Sequence, residues 1–193
     1  RLLQGDVGSG KTIISIIAMV ANYLSGYQSA LMVPTEILAT QHYETMKEIL
    51  KDFNINIALL TGSLPKNKKD LIHEELKLGK IDMVVGTHAL IQEEVVYKNL
   101  GLVITDEQHR FGVLQRTSLQ NKGITPDVLY MSATPIPRTY ALTLYGDMDI
   151  STIRTLPKGR KPIKTYLKSY SEIKDVLKMM YEELLKNHQI YVI

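Results

Sequence analysis

Near the start of the chain, Gly5-Asp6-Val7-Gly8-Ser9-Gly10-Lys11-Thr12 fits G-x-x-x-x-G-K-[ST], a loop whose backbone N–H groups cradle phosphates. The glycines let the backbone turn tightly and approach an anion closely, and the helix that follows points the positive end of its dipole at the same anion. Lys11 supplies a mobile point charge for the β- and γ-phosphates, and the Thr12 hydroxyl suits Mg²⁺. A second cluster lies downstream, where the apolar run Leu102-Val103-Ile104-Thr105 ends in Asp106 and Glu107. The first carboxylate of such a pair suits holding hydrated Mg²⁺, and the second suits orienting and deprotonating an attacking water. A strand ending in two acids is a weak signal alone, since acids often open loops. Behind an upstream phosphate loop it completes a nucleoside triphosphatase site. The candidate nucleotide-binding residues are therefore Gly5, Asp6, Val7, Gly8, Ser9, Gly10, Lys11 and Thr12. Lys11, Asp106 and Glu107 are the candidate catalytic groups, with Thr12 and Asp106 on the metal.

These groups need a scaffold that brings them to one place. The spacing predicts a helix from Lys11 to about Tyr23, apolar nearly all round as if buried against a sheet, with Gly26 just beyond it. A short strand, Ala30 to Val33, ends at Pro34, and Thr35 caps a helix running to about Asp52. On one face of that helix lie Leu38, His42, Met46, Ile49, Leu50 and Phe53. Ile55 to Leu60 is a third strand, and Pro65 opens a helix ending near Gly79. Lys66, Lys68 and Lys69 in its first turn oppose the helix dipole, so they are either simply solvated or face an anionic partner. Ile81 to Val85 is a strand that Gly86-Thr87-His88 turns into a short helix. Leu102 to Thr105, Val128 to Met131 and Ile150 to Ile153 follow as strands, with a helix over Pro137 to Tyr145. Strands that are apolar without alternation, separated by helices, predict an α/β fold: a mostly parallel sheet with helices on both faces. In such sheets the ligand sits at the carboxyl ends of the strands. The phosphate loop, Thr35, Thr61-Gly62, Thr87, Asp106-Glu107 and Ser132-Ala133-Thr134 would share that edge.

With 193 residues, 45% of them hydrophobic, the chain has material for one good core and the beginning of a second. The net charge of +3 permits a polyanionic partner without requiring one. The absence of cysteine excludes disulfides and thiolate metal sites. His42, His73 and His188 lack metal-ligand spacing and read as ordinary face or surface residues. The apolar run Ile13 to Leu24 is too short to span a bilayer and is interrupted by Asn22, so the expectation is a soluble intracellular protein without a membrane partner. After Ile153 the composition shifts. Leu156 to Lys168 carries five basic residues, two prolines, one glycine and no acid, as a linker would. Beyond it Ser169-x-x-Glu172 forms a capping box ahead of an amphipathic helix carrying Ile173, Val176, Leu177, Met180, Tyr181, Leu184 and Leu185 on one face. Only four residues precede Gly5, and Gln189 to Ile193 reads as a strand stopped before its turn, so both ends look cut. The expected organisation is a first domain over 1–155, a basic linker over 156–168 and the start of a second domain over 169–193.

Asp106-Glu107-Gln108-His109 is a D-E-x-H box, and with Ser132-Ala133-Thr134 it resembles motifs of superfamily 2 helicases and translocases. His109 taken alone reads as an ordinary loop histidine, but within this box coupling towards Ser132 and Thr134 is favoured. The resemblance narrows with Arg1 to Thr12, Pro34-Thr35-Glu36-Ile37-Leu38-Ala39, Gly86-Thr87-His88-Ala89-Leu90-Ile91-Gln92, Asp106 to Val113 and Met131 to Thr139. Together these resemble the RecG family of bacterial ATP-dependent DNA helicases over nearly the whole chain. The related Mfd translocases share the Arg-Phe-Gly and Pro-Ile-Pro-Arg stretches, while Glu36 to Ala39, Ala89 to Gln92 and Gln108 favour RecG. Tyr140 departs from the leucine more usual there.

That resemblance implies a RecA-like P-loop NTPase domain using ATP and Mg²⁺, the first half of a two-domain motor in the bacterial cytoplasm. Its substrate would be branched double-stranded DNA such as Holliday junctions and stalled forks. Its partners within the parent chain would be the second RecA-like domain and a DNA-wedge domain. Gln108, His109, Ser132 and Thr134 would couple ATP state to DNA contact. The segments Pro34-Thr35, Thr61-Gly62-Ser63 and Gly86-Thr87-His88 would face the DNA backbone, although each alone is an ordinary turn cap. Two other readings stay open: an RNA helicase of the same superfamily, and a nucleotide-binding regulatory module without motor activity.

Overall fold

The computed structural model describes residues 1–107, 111, 118–134, 148–155 and 163–193. Gln108, His109, the helix expected over Pro137 to Tyr145 and part of the basic linker lie outside the described residues. Apolar runs become strands as the pattern requires: β1 (Leu2–Gly5), β2 (Gln28–Met32), β3 (Ile57–Leu60), β4 (Met83–Gly86), β5 (Leu100–Thr105), β6 (Asp127–Ser132) and β7 (Ile150–Ile153). Between them run α1 (Lys11–Leu24), α2 (Glu36–Ile49), α3 (Lys66–Leu78) and a short 3-10 turn, His88–Ile91. The strands form one sheet in the order β3-β4-β2-β5-β6-β1-β7, with every pairing parallel. This is the α/β fold with a parallel sheet that the alternation of elements predicted.

Both faces of the sheet are covered, and successive residues of the central strands divide between them. Leu31 and Val33, Met83 and Val85, and Leu102 and Ile104 pack with Ile16 and Met19 of α1 and with Ala39 and Met46 of α2. Ala30, Met32, Val84 and Val103 pack the other way, with Leu76 of α3, Leu90 of the 3-10 turn, Val95 and Tyr97. A strand apolar on both faces is stable only in such a sandwich.

Three expectations need correction. Helix α1 is not buried all round: Ser15, Ile16 and Met19 face the sheet, whereas Ile17 is 62% exposed, so the helix packs by one side. Helix α2 stops at Ile49, which leaves Phe53 beyond it and exposed, outside the periodicity that put it on the buried face. The segment Gln189–Ile193 carries no strand, since its backbone groups have no neighbouring strand to pair with.

The described residues divide into two units, Arg1–Pro157 and Lys158–Ile193. In the second, the Glu172 carboxylate accepts the Ser169 N–H at 3.0 Å and closes the capping box. A 3-10 turn there leads into α4 (Ile173–Leu185), whose residues Leu177, Tyr181, Leu184 and Leu185 are all exposed. Among the described residues, no helix is long and apolar enough to cross a membrane.

Candidate nucleotide-binding and catalytic site

Strand β1 ends at Gly5, and the next residues fold back into a tight loop in which the Ser9 N–H donates to the Asp6 carbonyl at 3.1 Å. Gly10 caps α1 with φ of 95°, a left-handed conformation that explains glycine at this position. No side chain caps the helix and no acid lies in its first turn, so its leading N–H groups are left for an anion. Lys11 lies over the loop with its Nζ donating to the Gly5 carbonyl at 2.7 Å and the Asp6 carbonyl at 3.0 Å. The Ser9 hydroxyl is buried without a hydrogen-bond partner. A cavity of about 220 Å³ lined by Gln4, Gly5, Asp6, Ala133, Thr152 and Ile153 opens beside the loop. The larger hollow of about 560 Å³, lined in part by Asn99, Leu100 and Asp127, lies at the amino ends of β5 and β6, away from this chemistry.

Strand β5 delivers the carboxylates to the same edge. The Asp106 N–H donates to the Met32 carbonyl at 2.9 Å, which continues the pairing of β5 with β2 past its last residue. Asp106 Oδ1 accepts the Glu107 N–H at 2.9 Å. Glu107 has φ of 48°, an uncommon backbone state for a residue with a side chain, at the point where the chain leaves the strand. Strand β6 lies between β1 and β5, so Ser132, Ala133 and Thr134 emerge between the phosphate loop and the two acids. The Ser132 hydroxyl accepts the Thr134 N–H at 3.3 Å and lies 2.9 Å from the Thr134 hydroxyl, closing the S-A-T segment on itself.

One neighbour of Asp106 was not evident in the sequence. His42, on the buried face of α2, places Nε2 3.3 Å from Asp106 Oδ2. A carboxylate only accepts, so this contact requires a proton on Nε2. The one available signal was a polar residue within an otherwise apolar helix face.

The remaining predicted segments also reach this edge, with unequal access. Thr35 is exposed and its hydroxyl caps α2, accepting the Leu38 N–H at 3.3 Å. Pro34 is half-buried, whereas Gly62, Ser63 and His88 are exposed. Thr61 and Thr87 are buried: the first lies 3.3 Å from the Ser63 hydroxyl, and the hydroxyl of the second has no partner. Their side chains therefore do not form the outer surface. The Glu36 carboxylate accepts the Ser63 N–H at 2.9 Å, and hydrogen bonds from the Ser63 hydroxyl and N–H hold its pKa below the usual carboxylate value. Lys69, one of the three first-turn lysines of α3, donates to the Gly62 carbonyl at 2.6 Å.

The family model "DEAD/DEAH box helicase" matches residues 1–143. The chain belongs to the DEAD/DEAH box helicase family. Among curated relatives, an ATP-dependent DNA helicase RecG of Staphylococcus epidermidis is 58% identical over 193 residues, covering 100% of this chain and 28% of the relative. One from Aquifex aeolicus is 57% identical over 195 residues, covering 100% of this chain and 25% of the relative. A solved structure of RecG bound to a three-way DNA junction is 50% identical with a TM-score of 0.78, covering 96% of this chain and 25% of that one. The chain thus spans about a quarter of the length of these RecG relatives. In this member the segment Gly5–Thr12 and the pair Asp106-Glu107 sit at the carboxyl edge of a parallel sheet.

Proposed function

We propose that this chain is the first motor domain of an ATP-dependent DNA helicase of the RecG type, a double-stranded DNA translocase that remodels branched DNA. The observation that carries the ATPase part is the arrangement at one sheet edge: Lys11 and Thr12 on one side of β6, Asp106 and Glu107 on the other, and Ser132-Ala133-Thr134 between them. The identity to RecG relatives over the whole chain supports the DNA part.

The residues fit ATP with Mg²⁺. The uncapped start of α1, the buried Ser9 hydroxyl and the backbone of Gly5 to Gly10 suit the phosphate oxygens. Lys11, with two of its three N–H groups on loop carbonyls, is held where it neutralises the β- and γ-phosphates. Thr12 and Asp106 would hold Mg²⁺, which when bound would neutralise charge developing on the phosphates. Among the described residues no cluster of three or more His, Asp or Glu could hold a metal. Glu107 orients the attacking water and takes its proton. Gln108, His109, Ser132 and Thr134 pass the change in γ-phosphate to the DNA contacts. Thr35, Gly62, Ser63 and His88 hold DNA phosphates without reading sequence, beside the less exposed Pro34, Thr61 and Thr87. Residues 1–155 form the motor domain, 156–168 a linker and 169–193 the start of the second RecA-like domain, within a bacterial cytoplasmic protein that also carries a wedge domain.

The test is ATP hydrolysis by the full-length protein with and without a synthetic four-way DNA junction. Strong stimulation by the junction is expected. Preferential stimulation by single-stranded RNA would make it an RNA helicase, and no response to either would leave a nucleotide-binding module.

A further inference from the structure

The sequence left His42 without a role, and the site as proposed does not use it. From its place in the structure, we infer that His42 is a positioning residue for Asp106 and that α2 ties this carboxylate to the Thr61–Ser63 loop. This inference rests on the reading of Asp106 as the carboxylate that holds Mg²⁺ in an ATPase.

Both members of the contact are sheltered, with 10% of the His42 side chain and 14% of the Asp106 side chain exposed, and they stand 3.3 Å apart. Each polar group of Asp106 beyond its carbonyl is thereby fixed. The N–H is on Met32, Oδ1 is on the Glu107 N–H, and Oδ2 is on His42. The Met32 and Glu107 bonds fix the backbone and one oxygen, and among the described residues only His42 restrains the second oxygen from another element. A carboxylate that must present a lone pair to a metal needs that restraint, because rotation about its side chain otherwise moves both oxygens.

The helix that carries His42 is held at its other end as well. In its first turn, Glu36 accepts the N–H of Ser63, and Thr35 caps it. From Thr35 to His42 the helix advances about 10 Å at roughly 1.5 Å per residue. One rigid element therefore links the exposed segment around Gly62 and Ser63 with the orientation of Asp106. A phosphate backbone bound at that segment would act on Asp106 through α2, separately from any route through Ser132 and Thr134.

The experiment compares full-length wild type with His42→Ala and His42→Gln. ATP hydrolysis and binding of a fluorescent ADP analogue are each followed against Mg²⁺ concentration, and melting temperatures are recorded for all three. Glutamine can place an amide N–H near the position of the imidazole Nε2–H. Expected is a rise in the Mg²⁺ half-saturation of His42→Ala by about 10–100-fold, the usual cost of losing a group that orients a metal ligand, with His42→Gln within about threefold of wild type. Analogue binding in EDTA should be the same in all three, and His42→Ala should lose most of the acceleration by junction DNA. A wild-type Mg²⁺ curve for His42→Ala would overturn the inference. So would a His42→Gln protein that melts like wild type yet is as impaired as His42→Ala. If wild type itself shows no DNA-stimulated hydrolysis, the proposed motor function fails, while Mg²⁺-dependent analogue binding still decides the role of His42.

Discussion

Glu107 combines the proposed role of general base with a backbone φ of 48°, and the two are separable by substitution. Glu107→Gln keeps the side-chain length and the backbone N–H that holds Asp106 Oδ1, but cannot take a proton from water. Nucleotide binding should stay near wild type while single-turnover hydrolysis falls by about 10²–10⁴-fold, the range for loss of a general base. A variant hydrolysing at a near-normal rate would remove Glu107 from that role. The phosphate loop was legible because its chemistry resides in eight consecutive residues, Gly5 to Thr12, whose spacing alone fixes the turn. The acid pair was legible once that loop was known. The contact of His42 with Asp106 was not, since the two are 64 residues apart and only the packing of α2 against the sheet brings them together.

At the scale of elements, Gln28 does for β2 what an apolar residue cannot. Buried at the start of the strand, it donates through Nε2 to the carbonyls of Leu76 at 3.0 Å and Ile81 at 2.7 Å. Its Oε1 accepts the Asn99 N–H at 3.0 Å. One side chain thus stitches β2 to the end of α3 and to the entry of β5. Gln28→Leu should destabilise the protein by about 2 kcal/mol, read as a lowered denaturant midpoint, because the Leu76 and Ile81 carbonyls lose their buried donor. The strands were legible from uninterrupted apolar runs, and β5 and β6 fell within a residue or two of expectation. The start of β2 was placed at Ala30 instead of Gln28 because buried Gln28 and Ser29 look like loop residues until their partners are known. The apolar circumference of α1 misled in the opposite sense. Hydrophobicity marks what a helix is able to bury, and this one buries a single side.

At the scale of the whole molecule, the proposed site is one wall of a cleft whose other wall would come from the second motor domain. An arginine supplied in this way accelerates phosphoryl transfer by roughly 10³–10⁵-fold. Residues 1–193 alone should therefore hydrolyse ATP slowly, and turnover matching that of the full-length protein would contradict the split site. β1 comes first among these strands, yet its neighbours β6 and β7 come last: Leu2 pairs with Tyr130 on one side and Ile150 on the other. At a synthesis rate of about 5–20 residues per second, the strand that feeds the phosphate loop waits roughly 6–30 s on the ribosome for its partners. A nascent chain that has not reached β6 lacks both of the strands that flank β1. On the proposed function, affinity for nucleotide would thus arrive only once β6 and β7 are made, and ATP would stabilise only those chains in which these two strands have docked.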